Sequence, residues 1–131
     1  MKKMKGVITA MTTPFDEHDQ VDVKALEEQV DFLIEKGVNC LYPCGTTGEM
    51  FNMTPEEREL VAETVFRRAA GRVTVYIHVG AMTLKETVQL AQHAEKLGVD
   101  GIGVVTPGFF GIKDKAMIRY YQQVSASVSP D

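Results

Sequence analysis

Short apolar runs and apolar residues at helical spacing take turns along this chain. Gly6 to Met11 is rich in β-branched residues and closes at Thr12-Thr13-Pro14-Phe15, which predicts a strand followed by a turn. A polar loop covers Asp16 to Gln20. Apolar residues then recur at Val23, Leu26, Val30, Leu33 and Ile34. Spacings of three and four put these on one face of a helix, which Asp22 can cap and Gly37 can end. Val38 to Tyr42 predicts a second strand, and it runs into Gly45-Thr46-Thr47-Gly48-Glu49.

The second helix carries a full start signal, with Thr54 at the N-cap, Pro55 at the first helical position and Glu57 completing a capping box. Its expected inner face is Leu60, Val61, Thr64 and Val65, and Gly71 is its stop. Val73 to Ile77 predicts a third strand, ending at His78-Val79-Gly80. Thr83 and Glu86 repeat the capping-box spacing and open a third helix with Leu90, Ala91, Ala94 and Leu97 inward and Gly98 at its end. Asp100 to Val105 predicts the fourth strand, followed by Thr106-Pro107-Gly108-Phe109-Phe110-Gly111. Asp114 can cap a fourth helix with Met117, Ile118, Tyr121 and Val124 inward, and Tyr120 and Tyr121 are read as packing and surface on that helix. A Ser-rich tail follows.

The pattern is four strand–helix pairs repeating at about thirty residues, as βα units do. It contains an echo: Glu35-Lys36-Gly37-Val38-Asn39 resembles Glu95-Lys96-Leu97-Gly98-Val99-Asp100. In both, a lysine complements the helix dipole, a glycine breaks the helix, and a strand follows. The strands are apolar on both faces, as in a parallel sheet covered by helices. Two architectures stay open, a small open α/β sheet or half of a (β/α)8 barrel. No G-x-G-x-x-G follows the first strand, which argues against a dinucleotide fold.

Composition narrows the chemistry. The 131 residues make one domain, 1–131, with 44% hydrophobic and 24% charged residues, ordinary for a globular chain. A net charge of −4 argues against nucleic acid as a partner. Lys2, Lys3 and Lys5 precede an apolar run too short for a signal peptide, and nothing approaches a membrane span, so a cytoplasmic address is expected. Cys40 and Cys44 have no companions for a disulfide framework or a zinc site, and they read as buried thiols.

Gly45 to Glu49 is the stretch with chemical potential. Glycine lets a backbone turn tightly and lets a ligand approach. Successive N–H groups in such a turn form an anion site, which a following helix start favours. The hydroxyls of Thr46 and Thr47 can donate to a carboxylate or relay a proton. The plainer reading is a Gly-rich turn with surface threonines. His78, at the end of the third strand, could touch a substrate; the plainer reading there is a buried, hydrogen-bonded histidine.

Four segments together resemble one family. Ala10-Met11-Thr12-Thr13-Pro14-Phe15, Gly45-Thr46-Thr47-Gly48-Glu49, Thr54-Pro55-Glu56-Glu57-Arg58 and Val105-Thr106-Pro107 are similar, in order and spacing, to the dihydrodipicolinate synthase/N-acetylneuraminate lyase family. The resemblance covers about Lys5 to Val124. It implies a (β/α)8 TIM barrel, of which this chain holds the first four βα units, and a tetramer for the full barrel. It implies class I aldolase chemistry: a lysine on strand six forms a Schiff base with pyruvate, and the imine is the electron sink. By position, Thr47 with Gly45 and Gly48 would bind the pyruvate carboxylate. Thr46 would sit in a proton relay with two tyrosines.

The departures are specific. Phe109 falls where the family's relay tyrosine stands and has no hydroxyl; Phe109 and Phe110 read as interface or core packing. His78-Val79-Gly80 looks more like the lyase branch, whereas Gly-Thr-Thr-Gly-Glu is the synthase form. The second relay tyrosine and the Schiff-base lysine would lie beyond Asp131, and the tail reads as a cut. Lys24, Lys36, Lys85, Lys96, Lys113 and Lys115 fall on helices or loops, where no apolar strand interior would lower an amine's pKa. The expected function is therefore a dihydrodipicolinate synthase-like condensation of pyruvate with an aldehyde such as aspartate semialdehyde, a step of lysine biosynthesis. The alternatives are an N-acetylneuraminate lyase or related sugar-acid aldolase, and, in another class, a non-catalytic half-barrel.

Overall fold

The computed structural model describes residues 5–108 and 111–129. Strands and helices alternate: β1 (Ile8–Ala10), α1 (Val23–Glu35), β2 (Cys40–Tyr42), α2 (Pro55–Ala69), β3 (Thr74–His78), α3 (Leu84–Leu97), β4 (Gly101–Gly103) and α4 (Asp114–Ser125). The strands form a parallel sheet in the order β1-β2-β3-β4. α1 packs on α2, α2 on α3 and α3 on α4, so the helices make one continuous layer on one face of the sheet. A doubly wound sheet reverses its strand order and takes helices on both faces; sequential order with a single helical layer is the arrangement of a barrel wall.

Register sorts the side chains. Partners in a parallel ladder share a face, and successive residues alternate. Ile8, Cys40 and Thr74 align, as do Ala10 with Tyr42, Tyr76 with Gly101, and His78 with Gly103. These therefore line the face away from the helices. Leu41, Val75 and Ile77 point the other way, into a core completed by Leu26 and Val30 of α1, Val61 and Val65 of α2, and Leu90, Ala91 and Ala94 of α3. Leu41, Leu26, Val30, Val61 and Val65 are fully buried. At about 25 cal/mol per Å² of apolar surface removed from water, this layer is the main source of folding free energy. Polar ties reinforce it. Arg68 of α2 and Arg72, just past its end, both bond Asp31 of α1, and they hold its carboxyl down at about 2.

The helix starts follow the capping residues. Asp22 accepts from the Ala25 N–H, Thr54 and Glu57 form the reciprocal box, and Thr83 accepts from the Glu86 N–H. Gly37 and Gly98 adopt the left-handed conformation at the ends of α1 and α3. Four expectations are corrected. α2 turns left-handed one residue early, at Ala70, before Gly71. Leu60 is exposed, and its place on the inner face of α2 goes to Arg58 and Ala62. α4 begins at Asp114 itself, with Lys113 at the N-cap and no side-chain cap bond. On α4, Ile118 and Tyr121 face outward and Tyr120 is buried with Val124, because α4 packs on α3, where the Tyr120 hydroxyl meets that of Thr87. Cys40 and Cys44 are free, buried thiols as expected.

Candidate functional site

The carboxyl end of β2 leads through Pro43 into a compact turn. Cys44 and Glu49 bracket it, both with positive φ (62° and 60°) although neither is glycine. Each left-handed residue of this kind costs about 1 kcal/mol, so the surroundings must hold the turn. Within it, the Gly48 N–H donates to the Gly45 carbonyl (3.1 Å), the Glu49 N–H to the Thr46 carbonyl (3.1 Å) and the Met50 N–H to the Gly45 carbonyl (3.3 Å). Gly45 and Gly48 are buried, whereas Thr46 and Thr47 are exposed. Neither threonine spends its N–H or hydroxyl on a hydrogen bond among the described residues. The arrangement therefore offers two hydroxyls and two N–H groups to solvent at the carboxyl end of a strand, in front of a helix start. Chemically that can accept an anion or pass a proton.

Three elements hold the turn from outside. The Thr13 hydroxyl, in the loop after β1, donates to the Gly48 carbonyl at 2.8 Å in a buried bond. The His78 N–H donates to the Pro43 carbonyl at 3.2 Å. The Cys44 thiol donates to the carbonyl of Arg58 at 3.7 Å. Burial pushes that thiol up to about 11, so Cys44 is neutral and no nucleophile at physiological pH. Arg58 is itself buried, and its guanidinium donates through Nη1 to the Gly80 carbonyl (3.0 Å) and through Nη2 to the His78 carbonyl (2.8 Å). One arginine thus ties the start of α2 to the end of β3. Burial lowers its pKa, but a guanidinium stays charged far above neutrality.

His78 lies on the face away from the helices, with its ring edge-on to Tyr42 at 6.0 Å between centroids. It is buried, as the plainer reading expected, yet its Nδ1 has no hydrogen-bond partner among the described residues. Burial is the main force that lowers its pKa to about 4; the Arg58 charge adds to it, and the Cys44 backbone partly offsets it. His78 is therefore neutral at pH 7. Tyr42 and Tyr76 lean from β2 and β3 over β4, where glycines leave room. A Cβ at Gly103 would lie 1.8 Å from the Tyr42 hydroxyl oxygen, and one at Gly101 would lie 2.3 Å from the Tyr76 ring. Further along, Thr87 of α3 joins the Tyr120 hydroxyl (2.9 Å) and accepts from the Ala81 N–H (3.0 Å), binding the loop after β3 to α3 and α4.

The structure thus brings Gly45, Thr46, Thr47, Gly48 and His78 to the same end of the sheet. Phe109 and Phe110 lie outside the described residues. A cleft of about 170 Å³ opens between the starts of α2 and α3, lined by Met50, Phe51, Met53 and Arg58 among others; Thr46 and Thr47 do not line it. No lysine lies on a strand among the described residues. Among them there is also no cluster of three or more His, Cys, Asp or Glu placed to hold a metal, and no helix long and apolar enough to cross a membrane. The sequence reading gave no role to Arg58 or to Thr13. For Arg58 a signal exists: positions 58, 61, 62 and 65 have helical spacing, and Val61, Ala62 and Val65 are apolar, so Arg58 shares their buried face.

Known proteins share this arrangement of strands, turns and helices. Among curated proteins, the probable 2-dehydro-3-deoxy-D-pentonate aldolase YjhH of Escherichia coli K12 is 40% identical over 129 residues, which is 98% of this chain and 43% of that protein. The N-acetylneuraminate lyase of Rattus norvegicus is also 40% identical over 129 residues, covering 96% of this chain and 40% of the lyase. The chain therefore spans less than half the length of these relatives. The crystal structure of YagE, a prophage protein of the dihydrodipicolinic acid synthase family from E. coli K12 in complex with pyruvate, superposes with a TM-score of 0.91 at 35% identity over 94% of this chain and 41% of that one. The four parallel strands with their helices are one half of that TIM barrel. The profile of the dihydrodipicolinate synthetase family, whose members include lyases, matches residues 3–130, and the chain belongs to that family.

Proposed function

We propose that this chain, a single domain over 1–131, is the N-terminal half of a pyruvate-dependent class I aldolase or lyase. In this reading the turn at Thr46 and Thr47 receives the carboxylate of pyruvate. The observation that carries it is the pair of exposed threonines whose N–H groups and hydroxyls have no partner among the described residues, at the carboxyl end of β2 where barrel enzymes bind substrate. The pyruvate bound to YagE, a protein with the same half-barrel, supports the same reading.

A lysine from the other half of the barrel attacks C2 of pyruvate, water leaves, and the protonated imine draws electrons from C3. Loss of a C3 proton gives the enamine that adds to an aldehyde; the reverse sequence cleaves a sugar acid. Thr47, with Gly45 and Gly48 shaping the backbone, orients the keto acid. Thr46 passes a proton within a hydroxyl relay. Phe109 stands in that relay's tyrosine position and supplies no hydroxyl, so Phe109 and Phe110 serve packing at an interface or pocket wall.

The first reading of the reaction is a dihydrodipicolinate synthase-like condensation with an aldehyde such as aspartate semialdehyde, which would place the protein in lysine biosynthesis. The second is N-acetylneuraminate lysis or a related sugar-acid cleavage. His78-Val79-Gly80 favours the second, whereas sequence identity favours neither, since a sugar-acid lyase, a pentonate aldolase and 4-hydroxy-tetrahydrodipicolinate synthases all share 40% identity with this chain. No metal or organic cofactor takes part in this chemistry, and a cytoplasmic homotetramer is the expected form of the full barrel.

The test uses a complete barrel that carries this chain as its first half. Borohydride with pyruvate should trap a covalent adduct on that barrel and none on the 131-residue chain alone. Thr47→Ala should raise the KM for pyruvate at least tenfold, consistent with loss of a charge-assisted hydrogen bond of about 1.5–3 kcal/mol. An unchanged KM in that variant overturns the carboxylate site. Turnover compared on aspartate semialdehyde plus pyruvate and on sialic acid separates the two reactions.

A further inference from the structure

We infer that Thr13 is a positioning residue for the carboxylate site: its hydroxyl, from the loop after β1, fixes the strained turn that presents Thr46 and Thr47. The inference rests on the carboxylate reading of that turn and adds a residue to it.

Gly48 is the hinge of the argument. Its N–H is held inside the turn by the Gly45 carbonyl at 3.1 Å, and its carbonyl is held from outside by the Thr13 hydroxyl at 2.8 Å. With both polar backbone atoms engaged, the two peptide planes that flank Gly48 cannot swing. The residue just before it, Thr47, then keeps its N–H and hydroxyl turned outward.

The turn needs such a hold. Left-handed Cys44 and Glu49 frame it, and a single rotated peptide would relax either one. Among the described residues, the Thr13 bond is the one side-chain hydrogen bond that reaches the backbone of 45–49 from another element. The approach is close as well as polar. A Cβ at Gly48 would lie 3.0 Å from the Met11 carbonyl oxygen, 3.2 Å from the Cys44 nitrogen and 3.3 Å from the Thr13 hydroxyl, so the turn is pressed onto the β1 loop. Thr13 is buried at 6% exposure, which shields its bond from competing water. Its neighbour Thr12 is exposed, accepts from Gln29 Nε2 at 2.6 Å, and does not reach the turn.

Thr13 touches no substrate in this scheme. It acts through Gly48 on the direction of the Thr47 donors. Removing its hydroxyl while keeping its shape should therefore loosen carboxylate binding before it harms turnover.

The experiment measures pyruvate kinetics and thermal unfolding on the complete barrel carrying this chain. Thr13→Val should raise the KM for pyruvate about tenfold while kcat changes less than about threefold, the signature of a mis-set binding group. Thr13→Ser, which keeps the hydroxyl, should restore the KM to within about twofold of the parent. Thr12→Val should leave both constants unchanged. If Thr13→Val does not fold, Thr13→Cys takes its place, because a thiol donates only weakly and its KM should fall between those of the serine and valine forms.

A lowered unfolding temperature with an unchanged KM in the valine or cysteine variant overturns the inference, since Thr13 is then structural only. So does a serine variant that behaves like valine, since the methyl group and not the hydroxyl is then at work. Thr47→Ala separates the two levels. No KM change there fails the carboxylate reading itself, whereas a raised KM there with none in Thr13→Val fails this inference alone.

Discussion

The two faces of the sheet are finished to different degrees. The helical face is closed: Leu41, Val75 and Ile77 meet side chains of α1, α2 and α3 that are themselves fully or almost fully buried. The opposite face is open. Ile8 is 42% exposed, Tyr42 and Tyr76 are half-buried, and β4 presents Gly101 and Gly103 beneath the two tyrosine rings. A face whose apolar residues all find partners in these four βα units is a self-contained folding layer. A face that keeps polar tips, a neutral histidine and open backbone at the strand ends is where chemistry can be done. It is also where further barrel strands would pack.

The sharpest way to break this contrast is to cut a side chain on each face at adjacent positions. Leu41 and Tyr42 are consecutive and point to opposite faces. Leu41→Ala should destabilise the complete barrel by about 3 kcal/mol, through lost transfer energy plus a cavity. Tyr42→Phe, which keeps the ring over Gly103, should cost less than about 1 kcal/mol. Denaturant midpoints of the two variants decide it. Equal losses would mean that the open face carries as much of the fold as the helical one.

Acid should separate the faces next. His78 has a folded pKa of about 4, below its ordinary 6.5. Between those values the unfolded chain binds a proton that the folded chain refuses. Stability therefore falls as pH drops from about 6.5 to about 4, and this group takes nothing further below that. The loss should be about 3 kcal/mol, at about 1.4 kcal/mol for each pKa unit of the shift. On the helical side Asp31, at about 2 against an ordinary 3.8, behaves oppositely in window. Its ion pairs with Arg68 and Arg72 stabilise at and above pH 4 and fade as pH falls through 2. Urea unfolding at pH 7, 5.5, 4 and 3 should show the first loss abolished in His78→Gln and the second in Asp31→Asn.

Caps belong to the helical layer and carry a smaller effect. Thr54→Ala removes one half of the reciprocal box with Glu57 and should cost about 1 kcal/mol, read as a shift in unfolding midpoint with an unchanged slope. This same local chemistry explains what is legible in the sequence. Asp22, Thr54 and Thr83 act on backbone groups three residues away, so the helix starts can be read from a few letters. Strand length cannot be read that way. Gly6 to Met11 shrinks to Ile8–Ala10, Val38 to Tyr42 to Cys40–Tyr42, and Asp100 to Val105 to Gly101–Gly103, because a residue joins a strand only where a neighbour pairs with it. In the site, the Gly45–Glu49 turn is legible because its glycines and threonines sit together. Thr13 is not, because its partner Gly48 lies 35 residues away, and the helical spacing that marks Arg58 as inward does not name its partners His78 and Gly80, 20 and 22 residues on. The glycine alternation on β4 makes sense only once Tyr42 and Tyr76 are seen to lie over it.

The smallest expected effect tests how far the closed face extends. Leu60 and Val61 are neighbours on α2, yet Leu60 is 42% exposed and Val61 is fully buried. A leucine at helical spacing among apolar residues invites assignment to the core, and the structure turns it to solvent because Arg58 and Ala62 occupy the inward positions. If that outward position is free, Leu60→Ser should change stability by less than about 0.5 kcal/mol, the range for surface sites away from caps and packed contacts. A loss above about 1 kcal/mol, measured on the complete barrel at two protein concentrations, would mean that another surface covers α2. A concentration-dependent loss would identify that surface as a second copy of the molecule. The closed face of the sheet would then be the inner side of a helical layer that is itself covered from outside.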